Sequence, residues 1–371
     1  MEIPMPPSGS NALLELLKEY APEAIPGWAL VLTVAFVGVG VGLGLVSFLA
    51  LLSVWLERKV SGHIQCRYGP MYTGWHGVLQ PLADGIKLIM KEDLIPLGAD
   101  RPLFMLAPAL VLGSLFAGLT ALPFAPTIYF ADIQLGVFFI IAMLSVSTIG
   151  VVMAGWASAS KWSLYGAMRE AAQVVAYEIP LGISLLVPLM VVGTFNMIDA
   201  SATQAGWFGM KWTVFQNPFV IPASILFFVA ALAETKRAPF DLPEAESELV
   251  AGFLTEYSGI RWSFFFMEEY AAMFLMSAVA AIFFFGGFES PFTALARDGF
   301  GEYSIVHLLV AHATLFGKAL FGVFVMMWLR WTLPRVRIDQ VMTMGYKYLT
   351  PLSLLCVLGA GIWEAIRIQL F

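Results

Sequence analysis

Residues 234–248 read Glu-Thr-Lys-Arg-Ala-Pro-Phe-Asp-Leu-Pro-Glu-Ala-Glu-Ser-Glu. Five carboxylates, Glu234, Asp241, Glu244, Glu246 and Glu248, share this stretch with Lys236 and Arg237, and Glu256 follows. Carboxylates this close titrate as a set. Burial raises a carboxylate pKa and a neighbouring cation lowers it again, so such a set exchanges protons near neutral pH. Other ionisable residues in apolar segments are few: Glu178, Glu268, Glu269 and Lys318, with His307 and His312 before the lysine. Glu178, Glu234 and Glu269 are placed to face a common bundle centre and, with the acidic stretch, to form a chain of proton sites. Any one of these acids taken alone is better explained by a fixed ion pair with Arg169, Arg237, Lys161 or another base. The set as a whole points to proton handling. Lys318 is expected to snorkel or to pair with a carboxylate, and His307 to be solvated at the end of its span.

The elements that must position these groups are apolar. The chain has 371 residues, of which 59% are hydrophobic and 12% charged. Soluble domains carry about 25% charged residues, so the composition indicates an all-α integral membrane protein. A spanning helix needs roughly 20 apolar residues, and about eight stretches qualify: 28–56, 103–122, 133–156, 166–192, 215–233, 264–285, 303–329 and 348–366. The fifth is the shortest. Residues 28–371 thus form one multi-span membrane domain. Residues 1–27 form an N-terminal extracytoplasmic segment that lacks a secretory-signal pattern and carries a short surface helix over 13–20. Fifteen Lys and Arg residues fall in the loops after spans 1, 3, 5 and 7 or, for Arg169, just inside the span that follows, against four in the other loops and the termini. Basic loops stay in the cytoplasm, so both termini lie outside and the acidic loop, 234–262, lies inside. The first inner loop repeats Trp75, Val78, Leu79, Leu82, Ile86, Ile89 and Met90 at helical spacing, with His76, Gln80, Asp84, Lys87 and Lys91 opposite. This reads as a cytoplasmic-side amphipathic helix between the first two spans, over 72–92 and bent at Pro81. It either packs on lipid or walls a cavity at the membrane surface.

Several chemistries are excluded. Cys66 and Cys356 are isolated and read as ordinary apolar side chains, and neither His307 nor His312 has a partner at metal-ligand spacing. No P-loop, GxGxxG after a strand or HExxH occurs. The glycines at 38, 40, 42 and 44 lie in an apolar helix and predict close helix packing. Redox centres and nucleotide sites must come from partner chains.

Together the polar motifs are specific. The acidic stretch runs on to Val250-Ala251-Gly252-Phe253-Leu254-Thr255-Glu256-Tyr257. Trp55-Leu56-Glu57-Arg58-Lys59, Arg67-Tyr68-Gly69-Pro70 and Leu79-Gln80-Pro81-Leu82-Ala83-Asp84 precede it, as do Gly155-Trp156-Ala157-Ser158, Ala171-Ala172-Gln173 and Tyr177-Glu178. Trp328-Leu329-Arg330 and Thr332-Leu333-Pro334-Arg335-Val336-Arg337-Ile338-Asp339-Gln340 follow. The pattern, over residues 28–351, strongly resembles the H subunit of respiratory complex I, the proton-translocating NADH-quinone oxidoreductase. Four positions depart from it: Met71, Lys236 and Ala159 stand where asparagine is usual, and Trp331 where alanine is.

The resemblance implies a membrane-arm subunit of an enzyme complex, holding no metal or flavin, whose substrate is a quinone (ubiquinone or menaquinone). It implies Arg58, Arg67, Asp84 and Arg237 on the quinone path. Glu178, Glu234, Asp241, Glu244, Glu246, Glu248 and Glu269, with Arg237, would connect the quinone cavity to the membrane interior. Implied partners are peripheral-arm iron–sulfur and quinone-site subunits, antiporter-like membrane subunits and lipid, with no nucleic acid. The implied location is an energy-transducing membrane, the bacterial inner membrane. A membrane subunit of a hydrogenase-type complex and a stand-alone proton transporter remain alternatives.

Overall fold

The computed structural model describes residues 27–370, except 207, 245, 302 and 303. The N-terminal segment and its expected surface helix lie outside the described residues. The principal helices are α1 (Gly27–Ile64), α2 (Gln80–Met90), α3 (Arg101–Thr120), α4 (Gly136–Ala157), α5 (Lys161–Val192) and α6 (Met197–Thr203). They continue as α7 (Val220–Glu234), α8 (Gly259–Phe284), α9 (Pro291–Phe300), α10 (Ile305–Thr332), α11 (Ile338–Thr343) and α12 (Thr350–Leu370). A π-helical segment, Met344–Leu349, joins the last two into one apolar rod.

This is an all-α membrane protein. Seven helical segments among the described residues are long and apolar enough to cross a bilayer. At the fifth predicted span stands α7, which has only 15 residues. At 1.5 Å per residue it covers roughly 22 Å, short of the ~30 Å hydrocarbon layer. Its polar end, Glu234, therefore lies at the end of a short helix inside the bundle. Gln173 on α5 braces that end by donating from Nε2 to the Ala233 carbonyl at 2.7 Å.

The helix α8 forms the centre. In its most apolar stretch, 83% of the residues are buried, against 17% for α1. A helix apolar all round is a core helix, and Phe274, Met276, Val279 and Phe283 of α8 are all enclosed. Along α1, Phe36, Val39 and Val41 face outward.

The loops are held by close backbone approach. A Cβ on Gly62 would meet the Gly69 nitrogen at 2.9 Å, and one on Gly69 would meet the Arg58 carbonyl at 2.9 Å. The segment after α1 therefore folds back onto the end of that helix, where Lys59 Nζ donates to the Pro70 carbonyl at 2.7 Å. Gly252 has φ +54, in the left-handed region that glycine tolerates. There the acidic loop crosses Gly166 of α5, whose Cβ would meet the Gly252 Cα at 2.8 Å.

Some expectations need correcting. Pro81 does not bend a helix over 72–92. A single 3₁₀ turn, Trp75–Gly77, comes first and α2 starts at Gln80. Pro81 sits in the first turn, where its missing N–H costs nothing. His307 is buried, 4% exposed, in the first turn of α10, where its backbone N–H donates to the Ser304 Oγ cap at 3.2 Å. Cys66 is exposed, in a left-handed turn just past α1. Lys318 neither snorkels nor caps a carboxylate. Its Nζ donates to the carbonyls of Phe285, Gly287 and Glu289, which turn inward at the end of α8. A Cβ added at Gly38, Gly40 or Gly44 would meet nothing within 4 Å, and only one at Gly42 would approach a side chain, Phe116. Among the described residues, that stripe therefore makes no close helix contact.

Candidate functional site

Three charged groups lie where α1, α5, α8, α10 and the acidic loop converge. The first is centred on Arg237. Its Nε lies 2.6 Å from Glu269 of α8, and its Nη1 lies 3.3 Å from Glu57 of α1. Glu57 also receives Arg330 of α10 at 2.6 Å and the Tyr270 hydroxyl at 2.5 Å. The guanidinium stacks 4.2 Å over the Tyr270 ring. Arg237 is 3% exposed. Burial alone would lower its pKa, but Glu269, Tyr270 and Glu57 hold it well above the ordinary arginine value. This group therefore carries a fixed positive charge among titratable oxygens.

The second group is centred on Lys236. Its Nζ lies 2.8 Å from Glu170 of α5 and 3.5 Å from Glu268 of α8. Glu268 also accepts from Ser147 of α4 at 3.0 Å. Burial opposes the lysine charge, but Glu170 and then Glu268 raise its pKa above the ordinary value and keep it protonated. Glu234 lies within electrostatic reach of Glu178, Lys236, Glu170 and Glu268. Its buried Oε2 makes no hydrogen bond. Glu178 accepts from the Ser145 hydroxyl of α4. Glu244, in the loop, stands between the two groups. Burial first, then Asp241, pushes its pKa up to about 7, against the pull of Arg237 and Lys236. Its surroundings thus bring this loop carboxylate to a physiological proton affinity.

The third group lines a cavity of about 1030 Å³ between α1, α2, the loop after Val250 and α8. Its walls are mainly apolar, with Val54, Leu82, Ile86, Trp262, Phe266 and Met267. Arg58 and Asp84 also line it and pair at 2.6 Å. Gln80 Nε2 donates to Asp84 at 3.4 Å, and Lys87 is 3.8 Å away. The lining is thus mostly apolar, with one charged pair at Arg58 and Asp84.

Helix geometry links the groups. Glu57 and Arg58 are consecutive on α1, yet Glu57 enters the Arg237 group while Arg58 lines the cavity. Likewise on α8, Met267 lines the cavity, Glu268 joins Lys236 and Glu269 joins Arg237. Consecutive helical residues point about 100° apart, so one turn can serve three compartments.

The sequence-predicted residues divide accordingly. Glu269 and Arg237 meet in the first group, and Glu234 and Glu178 approach the second. Arg58 and Asp84 meet at the cavity. Arg67 does not line it: its Nε donates to Gln65 at 2.7 Å, in the turn just past α1. Asp241 pairs with Arg335 at 3.3 Å, and Glu248 with Arg169 at 2.5 Å, at the rim. The Arg169 hydrogen bond lowers the Glu248 pKa. The side chain of Glu246 lies outside what the structure describes. Sequence reasoning missed Glu57, Glu170, Tyr270 and Arg330. Glu170 carried a readable signal: with Gln173, Tyr177 and Leu181 it falls on the buried stripe of α5. Among the described residues no cluster of His, Cys, Asp and Glu could hold a metal ion.

Comparison with known proteins bears on this arrangement. The profile of a family described as NADH dehydrogenase matches residues 37–360. A protein of Chlorobium luteolum, named as the H subunit of NADH-quinone oxidoreductase, is 41% identical over 355 residues, covering 95% of this chain and 94% of that protein. Proteins of the same name from Anaeromyxobacter dehalogenans and Bacteroides thetaiotaomicron are 44% and 40% identical. They cover 86% and 94% of this chain, and 80% and 95% of their own lengths.

Proposed function

The chain belongs to the NADH dehydrogenase family, among the proteins named as the H subunit of NADH-quinone oxidoreductase, and from this we propose that its cavity receives the quinone and its buried acids couple quinone reduction to proton translocation. The observation that carries the reading is the divergence of Glu57 and Arg58 on one turn of α1. A charge change in the cavity is felt in the buried network without any helix having to move far.

In this mechanism the quinone head enters past Arg58 and Asp84, and its tail follows the apolar wall of α1, α2 and α8. Electrons arrive from partner subunits. Reduction of the quinone by two electrons consumes two protons, so charge at the cavity changes during each turnover. At an effective dielectric near 20, a unit charge acts on another 10 Å away by about 1.7 kcal/mol. That exceeds the ~1.36 kcal/mol that moves a protonation equilibrium tenfold. Glu57 and Glu269, held by the fixed charge of Arg237, are the first acids to respond. Glu244 is next, since its proton is balanced near neutrality. Glu234 and Glu178 then carry the change towards the membrane interior. Asp241 and Glu248, and Glu246 by its place in the same loop, form the inlet side. Arg237 holds the path together, and Arg67 stands outside the cavity at the turn after α1.

The partners are the iron–sulfur and quinone-site subunits on the loop side and antiporter-like subunits on the membrane side. The family members compared are bacterial, and we place the chain in the bacterial inner membrane with both termini outside. The test is photo-crosslinking with an azido-quinone in the assembled complex. Labelling on α1, α2 and α8 is expected. Labelling elsewhere overturns the chamber, and no labelling favours the hydrogenase-type alternative.

A further inference from the structure

Lys236 and Arg237 are neighbours in the chain, yet they share no carboxylate partner. Arg237 takes Glu57 and Glu269, whereas Lys236 takes Glu170 and Glu268. The Lys236 backbone has φ +58, the left-handed region that a β-carbon disfavours. A non-glycine residue persists there when its surroundings over-determine it. Here they do: the ammonium is buried, 2.8 Å from a carboxylate that is itself 0% exposed, with the Phe253 ring 5.9 Å away. Neither oxygen of Glu170 has a well-aligned hydrogen bond. Its charge is therefore met by the lysine alone among the described ion pairs.

We propose that Lys236 is a positioning cation that holds Glu170 and Glu268 around a single ammonium and so sets the charge of the inner acid group. The proposal rests on the reading that these buried acids belong to the proton path. It adds to that reading a separation of roles: Arg237 anchors the cavity-side acids, and Lys236 sets the charge against which Glu234 exchanges its proton. The other charged groups facing Lys236 are Glu234 at the end of α7 and Glu244 in the loop, with Arg237 adjacent and Glu178 beyond Glu234.

Removing the ammonium leaves two carboxylates in one dry site. They cannot both stay ionised, so one takes up a proton and becomes a new titrating group. The test is Lys236→Asn in the assembled complex, because asparagine accepts the left-handed backbone and carries no charge. Infrared spectra should gain one protonated-carboxyl band. The alkaline limb of quinone reduction should move down by about one pH unit or more, as the new proton is lost. Adding Glu170→Gln should remove the band and return the limb towards its original position. An unchanged spectrum and pH profile in Lys236→Asn overturns the proposal, as does a double variant no closer to wild type. If Lys236→Asn does not assemble, the double variant decides: restored assembly supports charge balance, and continued failure overturns it. The infrared band does not depend on coupling. It therefore separates failure of this proposal from failure of the proton-path reading, which is judged by proton translocation in Glu234→Gln.

Discussion

Arg58 and Arg237 each meet a carboxylate at 2.6 Å, Asp84 in one case and Glu269 in the other. The two contacts are equal in length and opposite in environment. The Arg58 side chain is 41% exposed, at a cavity, and the Arg237 side chain is 3% exposed, inside the bundle. An exposed pair is worth about 0–1 kcal/mol because water competes for both charges. Removing one partner of a buried pair costs about 3–5 kcal/mol because the other charge is stranded. Distance alone therefore says little about the role of an ion pair. The cavity pair can exchange partners with an incoming ligand, whereas the buried one holds charge in place for as long as the fold lasts.

The contrast between the two arginines is tested most severely by Arg237→Met. It strands Glu269 and leaves Glu57 to Arg330 and Tyr270, and loss of the assembled complex on native gels is expected. Normal assembly would show that the buried group is not as dry as its exposure indicates. Next is Glu57→Gln, which preserves shape and a hydrogen-bond partner for Tyr270. Proton translocation in proteoliposomes should fall about tenfold or more, equivalent to about 1.4 kcal/mol. A wild-type rate would remove Glu57 from the coupling path.

Glu244→Gln probes the boundary between the wet and dry sides. Burial raises the Glu244 pKa from 4.5 to about 7. Its contribution to stability is thus full below the ordinary carboxylate pKa and is lost as pH rises through about 7. The melting temperature of the wild-type complex should decline more steeply between about pH 5 and 8 than that of the variant, by a few degrees. Parallel declines would contradict this assignment.

Smaller effects belong to the wet side. Arg58→Ala should raise the quinone KM several-fold while leaving assembly intact, because the pair it breaks is worth about 1 kcal/mol or less. Smallest is Glu248→Gln. The hydrogen bond from Arg169 lowers the Glu248 pKa, so its contribution is present above the ordinary carboxylate pKa and lost as pH falls. The Glu248 side chain is 51% exposed, and the change in stability at neutral pH should stay within about 1 kcal/mol.

Much of the site is legible without coordinates. The acidic stretch stands out because carboxylates are costly near lipid, and Arg58 with Asp84 emerges from motifs around the first inner loop. Glu57 is legible only as part of the Trp55–Lys59 motif. Its partners Arg237 and Arg330 lie 180 and 273 residues away, and no local pattern reports such a meeting. The burial of His307 escapes sequence reasoning because position along a span does not reveal whether a helix end is covered. The place of Pro81 escapes it for a related reason: apolar spacing over 72–90 suits one helix, but the glycines at 74 and 77, both with positive φ, interrupt it.

Consecutive residues suffice to establish an all-α membrane protein with several long apolar helices, because apolar length and charge scarcity are local properties of the chain. They also suffice for the family, through motifs that need no geometry to be recognised. How the charges are shared is settled only by packing. Lys236 and Arg237 are adjacent in the chain, yet left-handed backbone at Lys236 sends the two cations to different acids. Glu57 and Arg58 are adjacent too, and helical rotation sends one inward and the other to the cavity. Electrostatic energy depends on distance and on the water between charges, and both are set by contacts between helices far apart in the sequence.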